Sequence, residues 1–127
     1  MIEVRHIPAP QAAHQLAGLA RLDPRGMLSE ADIPAMCDRG QCFELVAADG
    51  RARAVYVIEV CNGVAWVSAL ASTGRGIDVC KVFDGVTTQQ ATGLQRLAFQ
   101  TARPGLVRKM SGLGYRVTGW IMAKDIH

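Results

Sequence analysis

Three consecutive segments decide the fold: LQRLAFQT (94–101), ARPGLVRKMSGLG (102–114) and YRVTGWIMAK (115–124). Pro104 suits the first turn of a helix, because its missing N–H would have no partner there in any case. Gly112 and Gly114 supply the backbone freedom with which a helix ends. Tyr115 then begins a run rich in β-branched and aromatic residues. The last third therefore predicts a strand, a basic helix and a further strand.

Upstream of this segment the sequence predicts an antiparallel meander. Three runs rich in strand-forming residues cover 42–48, 52–61 and 64–71. Asp49-Gly50 and Asn62-Gly63 separate them, and both dipeptides favour the tight turns in which two residues need positive φ. We therefore expect three strands joined by two short hairpin turns.

The remaining elements follow from apolar periodicity and breakers. Alternation predicts a strand at 2–7, which Pro8 and Pro10 end, and helical spacing predicts helices at 11–22, 29–37 and 77–90. The order is strand, two helices, three strands, helix, strand, helix, strand. This order predicts an α/β fold with one mixed, mostly antiparallel sheet and helices on both faces. No linker or repeat divides the chain, so we expect one domain over 1–127.

Composition narrows the classes of function. The chain of 127 residues carries a net charge of +3 and has no apolar run near the roughly 20 residues that span a bilayer. The N-terminus MIEVRHIPAP lacks a signal-peptide core, so we expect a soluble cytoplasmic protein.

Residues 94–127 hold six cations against Asp125 alone. Such a basic half attracts polyphosphates, nucleic acid or an acidic partner, or it is an ordinary solvated face. Few aromatic residues accompany these cations, so nucleic acid is not the expected ligand.

Cysteine and histidine spacing gives no metal motif. No Cys-x-x-Cys is present, and the three histidines lie far from the cysteines, so no zinc site is expected. We expect the cysteines to be buried reduced thiols and the two tryptophans to belong to the core. These residues are Cys37, Cys42, Cys61, Cys80, Trp66 and Trp120.

The order of elements, and the basic helix that ends in Gly114-Tyr115, resemble the GNAT superfamily of N-acetyltransferases. In that family a helix ending in Lys-x-Gly-Phe/Tyr joins the last strands. The resemblance covers nearly the whole chain and rests on pattern more than on motif. It implies a GNAT-like sheet, acetyl-CoA as the cofactor and an amine as the acceptor.

The resemblance also implies where acetyl-CoA binds. In GNAT enzymes the loop after the fourth strand reads Gln/Arg-x-x-Gly-x-Gly/Ala, and its amides hold the pyrophosphate at a helix N-terminus. Gly74, Arg75 and Gly76 occupy this loop, and Ala71 stands where Gln or Arg is usual. Arg75 can supply the cation instead. Backbone amides from Ala69 to Ala71 would polarise the thioester carbonyl.

The implied catalytic residues match the family only in part. The tyrosine that protonates the leaving thiolate corresponds to Met110, which cannot donate a proton. An attacking amine needs a base, and Glu59 and Glu44 on the meander strands are the candidates. Glu59 lies in an apolar run, where burial would raise its pKa. The alternative is a carboxylate exposed on an edge strand.

Two functions from different classes follow. The first is an acetyl-CoA-dependent N-acyltransferase that acts on a small-molecule or peptide amine. The alternative is a catalytically inactive GNAT-fold structural or interaction protein, such as a phage virion component, located in the virion. A final strand ending at Lys124 would also offer an edge for pairing with a second copy.

Overall fold

The structure, a computed structural model, describes residues 2–19, 30–47, 53–72, 79–100, 104–120, 122 and 124–126. Its strands are β1 (Ile2–Ile7), β2 (Gln41–Ala47), β3 (Arg53–Cys61), β4 (Val64–Ser72) and β5 (Arg96–Phe99). Its helices are α1 (Ala9–Leu19), a 3-10 helix (Glu30–Asp32), α2 (Ile33–Arg39), α3 (Val79–Gln90) and α4 (Pro104–Ser111).

The five strands form one sheet in chain order, β1-β2-β3-β4-β5. The first four strands pair antiparallel, and β4 pairs with β5 in parallel. The parallel pair follows from α3, because a helix that crosses between two neighbouring strands brings the chain back in the same direction. The predicted mixed, mostly antiparallel sheet is confirmed.

The meander is where sequence and structure agree best. Its second turn is made by Asn62 with φ 52° and Gly63 with φ 76°. Positive φ at both central residues matches the twist of the flanking strands, which is why Asn-Gly favours this turn. The first predicted turn, Asp49-Gly50, lies outside the described residues.

Each face of the sheet packs against helices. Alternate residues of β3 point to opposite faces, so Val55 and Val57 join a core cluster with residues of α1 and α2. Ala54, Tyr56 and Ile58 join a second cluster with α3. We call these the α1–α2 face and the α3 face. Helices on both faces are thereby confirmed.

The hydrogen bonds at the C-terminal end of α4 explain the position of Gly114. Gly114 has φ 97°, its N–H donates to the Ser111 carbonyl at 3.2 Å, and the Tyr115 N–H donates to the Met110 carbonyl at 3.2 Å. This pair of bonds is the Schellman motif, which needs a residue with positive φ just past the helix. The predicted helix end at Gly112–Gly114 is confirmed.

The strand predicted from Tyr115 onwards is wrong for the residues described. Residues 115–120 lie in no strand, and β5 is shorter than the predicted 94–101. The Tyr115 ring still contacts Phe99, with centroids 5.5 Å apart. Beyond it Val117 and Trp120 are exposed. A β-rich sequence forms a strand only where a neighbouring strand and a packed face receive it, and this segment has neither in the described structure.

Two other expectations need correction. Cys37 and Cys42 are buried, and burial raises the pKa of the Cys42 thiol to about 11. Cys61 is exposed, because it ends β3 at the turn. Trp66 is 40% and Trp120 91% exposed, so neither belongs to the core. The side chain of Cys80 lies outside what the structure describes.

Candidate functional site

The sheet opens between β4 and β5. The two strands pair only from Val64 opposite Arg96 to Val67 opposite Phe99, whereas β4 continues to Ser72. Residues 69–72 of β4 remain paired with β3 on their other side. Alternate residues of this stretch turn their amides away from β3, toward the opening. An extended ligand can hydrogen-bond there as an added strand does.

A β-bulge at Ser68 marks the start of this opening. Val67 lies opposite Ile58 and Ala69 opposite Val57, so Ser68 has no counterpart on β3. In a regular strand Val67 and Ala69 would point to the same face of the sheet. Because of the extra residue, Val67 packs on the α3 face and Ala69 on the α1–α2 face. Bulges bend a strand and redirect a side chain. This one turns β4 away where its pairing with β5 stops.

The bulge brings Ser68 to Glu59 on the neighbouring strand. The Ser68 hydroxyl donates to Oε2 of Glu59, and Nε of Arg39 donates to Oε1 at 3.0 Å. The Glu59 side chain is 28% exposed. Of the two candidate bases Glu59 therefore stands beside the opening, partly accessible from the α1–α2 face.

The ionisation of Glu59 differs from the expectation based on its apolar strand. The Ser68 hydrogen bond lowers its pKa most, Arg39 lowers it further, and burial opposes both. The partners favour the charged form by more than the partial burial disfavours it. At neutral pH Glu59 is a carboxylate that can accept a proton from an amine, directly or through water.

Gly40 explains how α2 approaches so close to Glu59. A Cβ added there would lie 2.5 Å from Cγ1 of Val57, 2.9 Å from the Ile58 carbonyl oxygen and 3.2 Å from Cγ of Glu59. Only glycine lets the chain touch β3 at this point. Its neighbour Arg39 is thereby placed against the carboxylate.

Glu44, the other candidate base, is placed differently. It is 5% exposed on β2, opposite Val55, which in turn lies opposite Ala71 of β4. Two strand spacings separate it from β4, a distance of about 10 Å. Nη1 of Arg5 lies 3.7 Å from its Oε1, and Arg5 also bonds Glu3. The structure therefore does not bring Glu44 to the opening.

The residues expected to hold acetyl-CoA are described in part. Ala69 and Ala71 lie on β4 inside the opening and pack on the α1–α2 face. Gly74, Arg75 and Gly76 lie outside the described residues. The order of elements nevertheless joins the end of β4 to the start of α3 through this loop. A strand edge that leads to a helix N-terminus fits an extended ligand with an anionic end.

Met110, which corresponds to the tyrosine of GNAT enzymes, cannot act as a general acid. Met110 is 3% exposed at the end of α4. Tyr115 packs its ring on Phe99, the last β5 residue paired with β4. Burial raises the pKa of Tyr115, and the Asp84 carboxylate raises it further, so its hydroxyl stays neutral. The Tyr115 ring is therefore a packed side chain at the corner between α4 and the segment that follows it.

Sequence reasoning missed Arg39, Gly40 and Ser68. Each acts through a contact with β3 that no local pattern encodes. Across the described residues, His, Cys, Asp and Glu side chains form no group of three that could hold a metal ion.

Comparison with known proteins shows the fold. The structure is similar to IAA acetyltransferase from Bacillus cereus, with TM-score 0.68 and 21% identity over 94% of this chain and 79% of that one. It is similar to aminoglycoside 6'-N-acetyltransferase from Acinetobacter baumannii, with TM-score 0.58 and 13% identity over 100% of this chain and 99% of the other. An aminoglycoside N-acetyltransferase in complex with CoA gives TM-score 0.58 and 16% identity over 98% and 99%.

These likenesses extend over nearly the whole chain, and the expected GNAT fold is confirmed. No family model and no curated protein sequence matches the chain. In the described part of the chain, every helix is too short or too polar to cross a membrane. At these identities the comparisons establish the fold alone, because a shared fold does not carry a shared activity.

Proposed function

We propose that the protein is an acetyl-CoA-dependent N-acyltransferase that acetylates a small-molecule or peptide amine. The observation that carries this proposal is the opening of β4 from β5 at the Ser68 bulge, with the Glu59 carboxylate beside it. Solved structures with this fold include acetyltransferases, one of them in complex with CoA. Acetyl-CoA supplies an activated acetyl thioester.

In this proposal, different residues of the chain would bind the acetyl group, bind the pyrophosphate and accept the proton. Backbone amides of Ala69 and Ala71 would hold the acetyl group along the open edge of β4. Gly74, Arg75 and Gly76 would hold the pyrophosphate before α3, where unpaired amides favour an anion. Glu59 would take the proton of the attacking amine. With Met110 at the tyrosine position, the departing thiolate would take its proton from water.

Calorimetric titration of the protein with acetyl-CoA tests the proposal. We expect micromolar binding and a Tm that rises as the ligand accumulates, because a ligand that binds only the folded state stabilises it. Gly76→Glu should abolish binding and leave the fold intact, since it puts a carboxylate where phosphates bind. Gly85→Glu is the control, because Gly85 is exposed on α3 with nothing within 4 Å of an added Cβ. Unchanged affinity in Gly76→Glu would refute this cofactor site.

A second candidate is an interaction protein with the GNAT fold and no catalysis, of the kind found in phage virions. Two observations favour it. Met110 removes the usual acid, and the C-terminal segment exposes Trp120, Met122 and Ile126. Exposed apolar side chains, and the position of β5 at the end of the described sheet, favour pairing with another chain, including a second copy. No binding of acetyl-CoA at millimolar concentration, together with a dimer in size-exclusion chromatography, would support this candidate.

A further inference from the structure

Both oxygens of the candidate base are already occupied. Arg39 from α2 bonds Oε1 of Glu59, and Ser68 from β4 bonds Oε2. These are the described groups that bear on the ionisation of Glu59. A carboxylate held this way is a weak base, because each bond favours its charged form. Efficient proton transfer therefore requires one of the two bonds to open.

Arg39 is the partner that can leave. Its side chain is 62% exposed at the last position of α2. Its contact with Glu59 uses Nε, whereas a guanidinium binds a carboxylate best through two parallel N–H bonds. A carboxylate that arrives from solvent can therefore compete with Glu59 for this side chain.

Trp66 adds an apolar surface to the same place. It lies directly opposite Glu59 in the β3–β4 register, so both side chains point to the α1–α2 face, and it is 40% exposed. The three side chains present a cation, an anion and an aromatic ring at one end of the opening. This combination suits a small molecule that carries both charges.

We infer that Arg39 selects the acceptor, which is a short amino carboxylate such as a free amino acid. The inference rests on the proposed acetyl transfer. The acceptor's carboxylate binds Arg39 and draws it from Glu59, and the acceptor's ammonium takes its place. Because Arg39 and Glu59 touch, the two charged groups of the acceptor are separated by only a few bonds.

Acetyl transfer then follows from this arrangement. The ammonium gives one proton to Glu59, and the resulting amine nitrogen forms the bond to the thioester carbonyl carbon. The nitrogen loses its second proton to water as the carbon–sulfur bond breaks. The thiolate of CoA leaves and takes a proton from water. Glu59 returns its proton to solvent, and Arg39 pairs with it again once the product dissociates.

A binding experiment without acetyl-CoA tests the displacement directly. The pKa of Glu59 is followed by ¹³C NMR of its side-chain carboxyl, with propionate or the uncharged propionamide added to the protein. We expect propionate to raise the pKa of Glu59 and propionamide to leave it unchanged. Arg39→Gln should raise that pKa by itself and abolish the response to propionate. No response of the wild type to saturating propionate overturns the inference, whether or not the protein binds acetyl-CoA.

A kinetic experiment tests the selectivity. Glycine and glycinamide differ at the carboxylate, and the inference expects a preference for glycine. Arg39→Gln should reduce kcat/KM for glycine by about 10- to 100-fold, the range for loss of a hydrogen-bonded charge, and change glycinamide little. Arg39→Lys should retain only part of the preference that Arg39→Gln loses, because lysine lacks the two parallel N–H donors of a guanidinium. Equal losses for both substrates would contradict the selective role. No turnover of either, with the propionate response intact, would instead count against the proposed acetyl transfer.

Discussion

The ionisation of Glu59 depends on side chains that come from different elements. Its pKa is lowered first by Ser68 and then by Arg39. A carboxyl whose pKa is lower in the folded than in the unfolded state stabilises the fold at pH above the unfolded pKa. This contribution disappears as the pH falls through the folded pKa. An ion pair as exposed as Arg39–Glu59 is worth about 1 kcal/mol or less, so Ser68 should matter most.

Ser68→Ala tests this ranking. We expect the pKa of Glu59 to rise, because the largest stabilisation of its charged form is removed. The free energy of unfolding should fall by about 1 kcal/mol at neutral pH. The difference from wild type should vanish below the folded pKa, where Glu59 is protonated in both proteins. Urea unfolding across pH, with ¹³C NMR of the Glu59 carboxyl, measures both effects.

Ser111→Ala provides a matched control. Ser111 is an exposed serine on α4 whose hydroxyl bonds the Val107 carbonyl. It should leave the pKa of Glu59 unchanged. If both alanine variants shift that pKa alike, or neither does, Ser68 is not the group that holds Glu59 ionised.

At the scale of elements, sequence predicted what is encoded locally. The Asn62-Gly63 turn, the strand β3 and the glycine that ends α4 are each determined by a few neighbouring residues. The opening and the bulge depend instead on the register of β4 against β3 and β5, which no single strand specifies. The last strand was predicted from composition, and the described segment lacks the packed neighbour that a strand requires. Site geometry was therefore less predictable than the sheet.

The junction between α2 and β2 can be tested at Gly40. Its φ of −100° suits any residue, so the cost of Gly40→Ala is steric. The added Cβ would collide with Val57 and with the backbone of Ile58. We expect a loss of about 1–3 kcal/mol in the free energy of unfolding, as for overpacked cores. Equilibrium unfolding in urea measures it.

Gly85→Ala makes the same chemical change without the collision. Gly85 lies inside α3, exposed, with nothing within 4 Å of an added Cβ. We expect this variant to gain up to about 1 kcal/mol, because alanine favours a helix more than glycine does. Similar effects of the two substitutions would show that α2 does not press on β3 as described.

Across the described residues, the buried apolar side chains form two cores, whereas the C-terminal segment exposes several large ones. Phe83 is 2% exposed and meets the Tyr56 ring at 5.2 Å in the α3-face core. Trp120 and Met122 are 91% and 94% exposed in the C-terminal segment. Apolar side chains that lie together on a surface often mark a site of binding. The effect of substituting Trp120 on the free energy of unfolding therefore shows whether the C-terminal segment is free in solution or packed against protein.

Trp120→Ser should change the free energy of unfolding by no more than about 0.5 kcal/mol, the usual range for exposed positions. Phe83→Ala, its comparison, should cost about 3–5 kcal/mol, because it removes a buried aromatic side chain. If Trp120→Ser destabilises the protein by more than expected, unfolding measured at two protein concentrations distinguishes the two possible reasons. A loss of about 1 kcal/mol or more in Trp120→Ser that is independent of concentration would mean that the segment packs on its own chain. A loss that grows with concentration would mean that a second copy covers it, as the interaction-protein candidate requires.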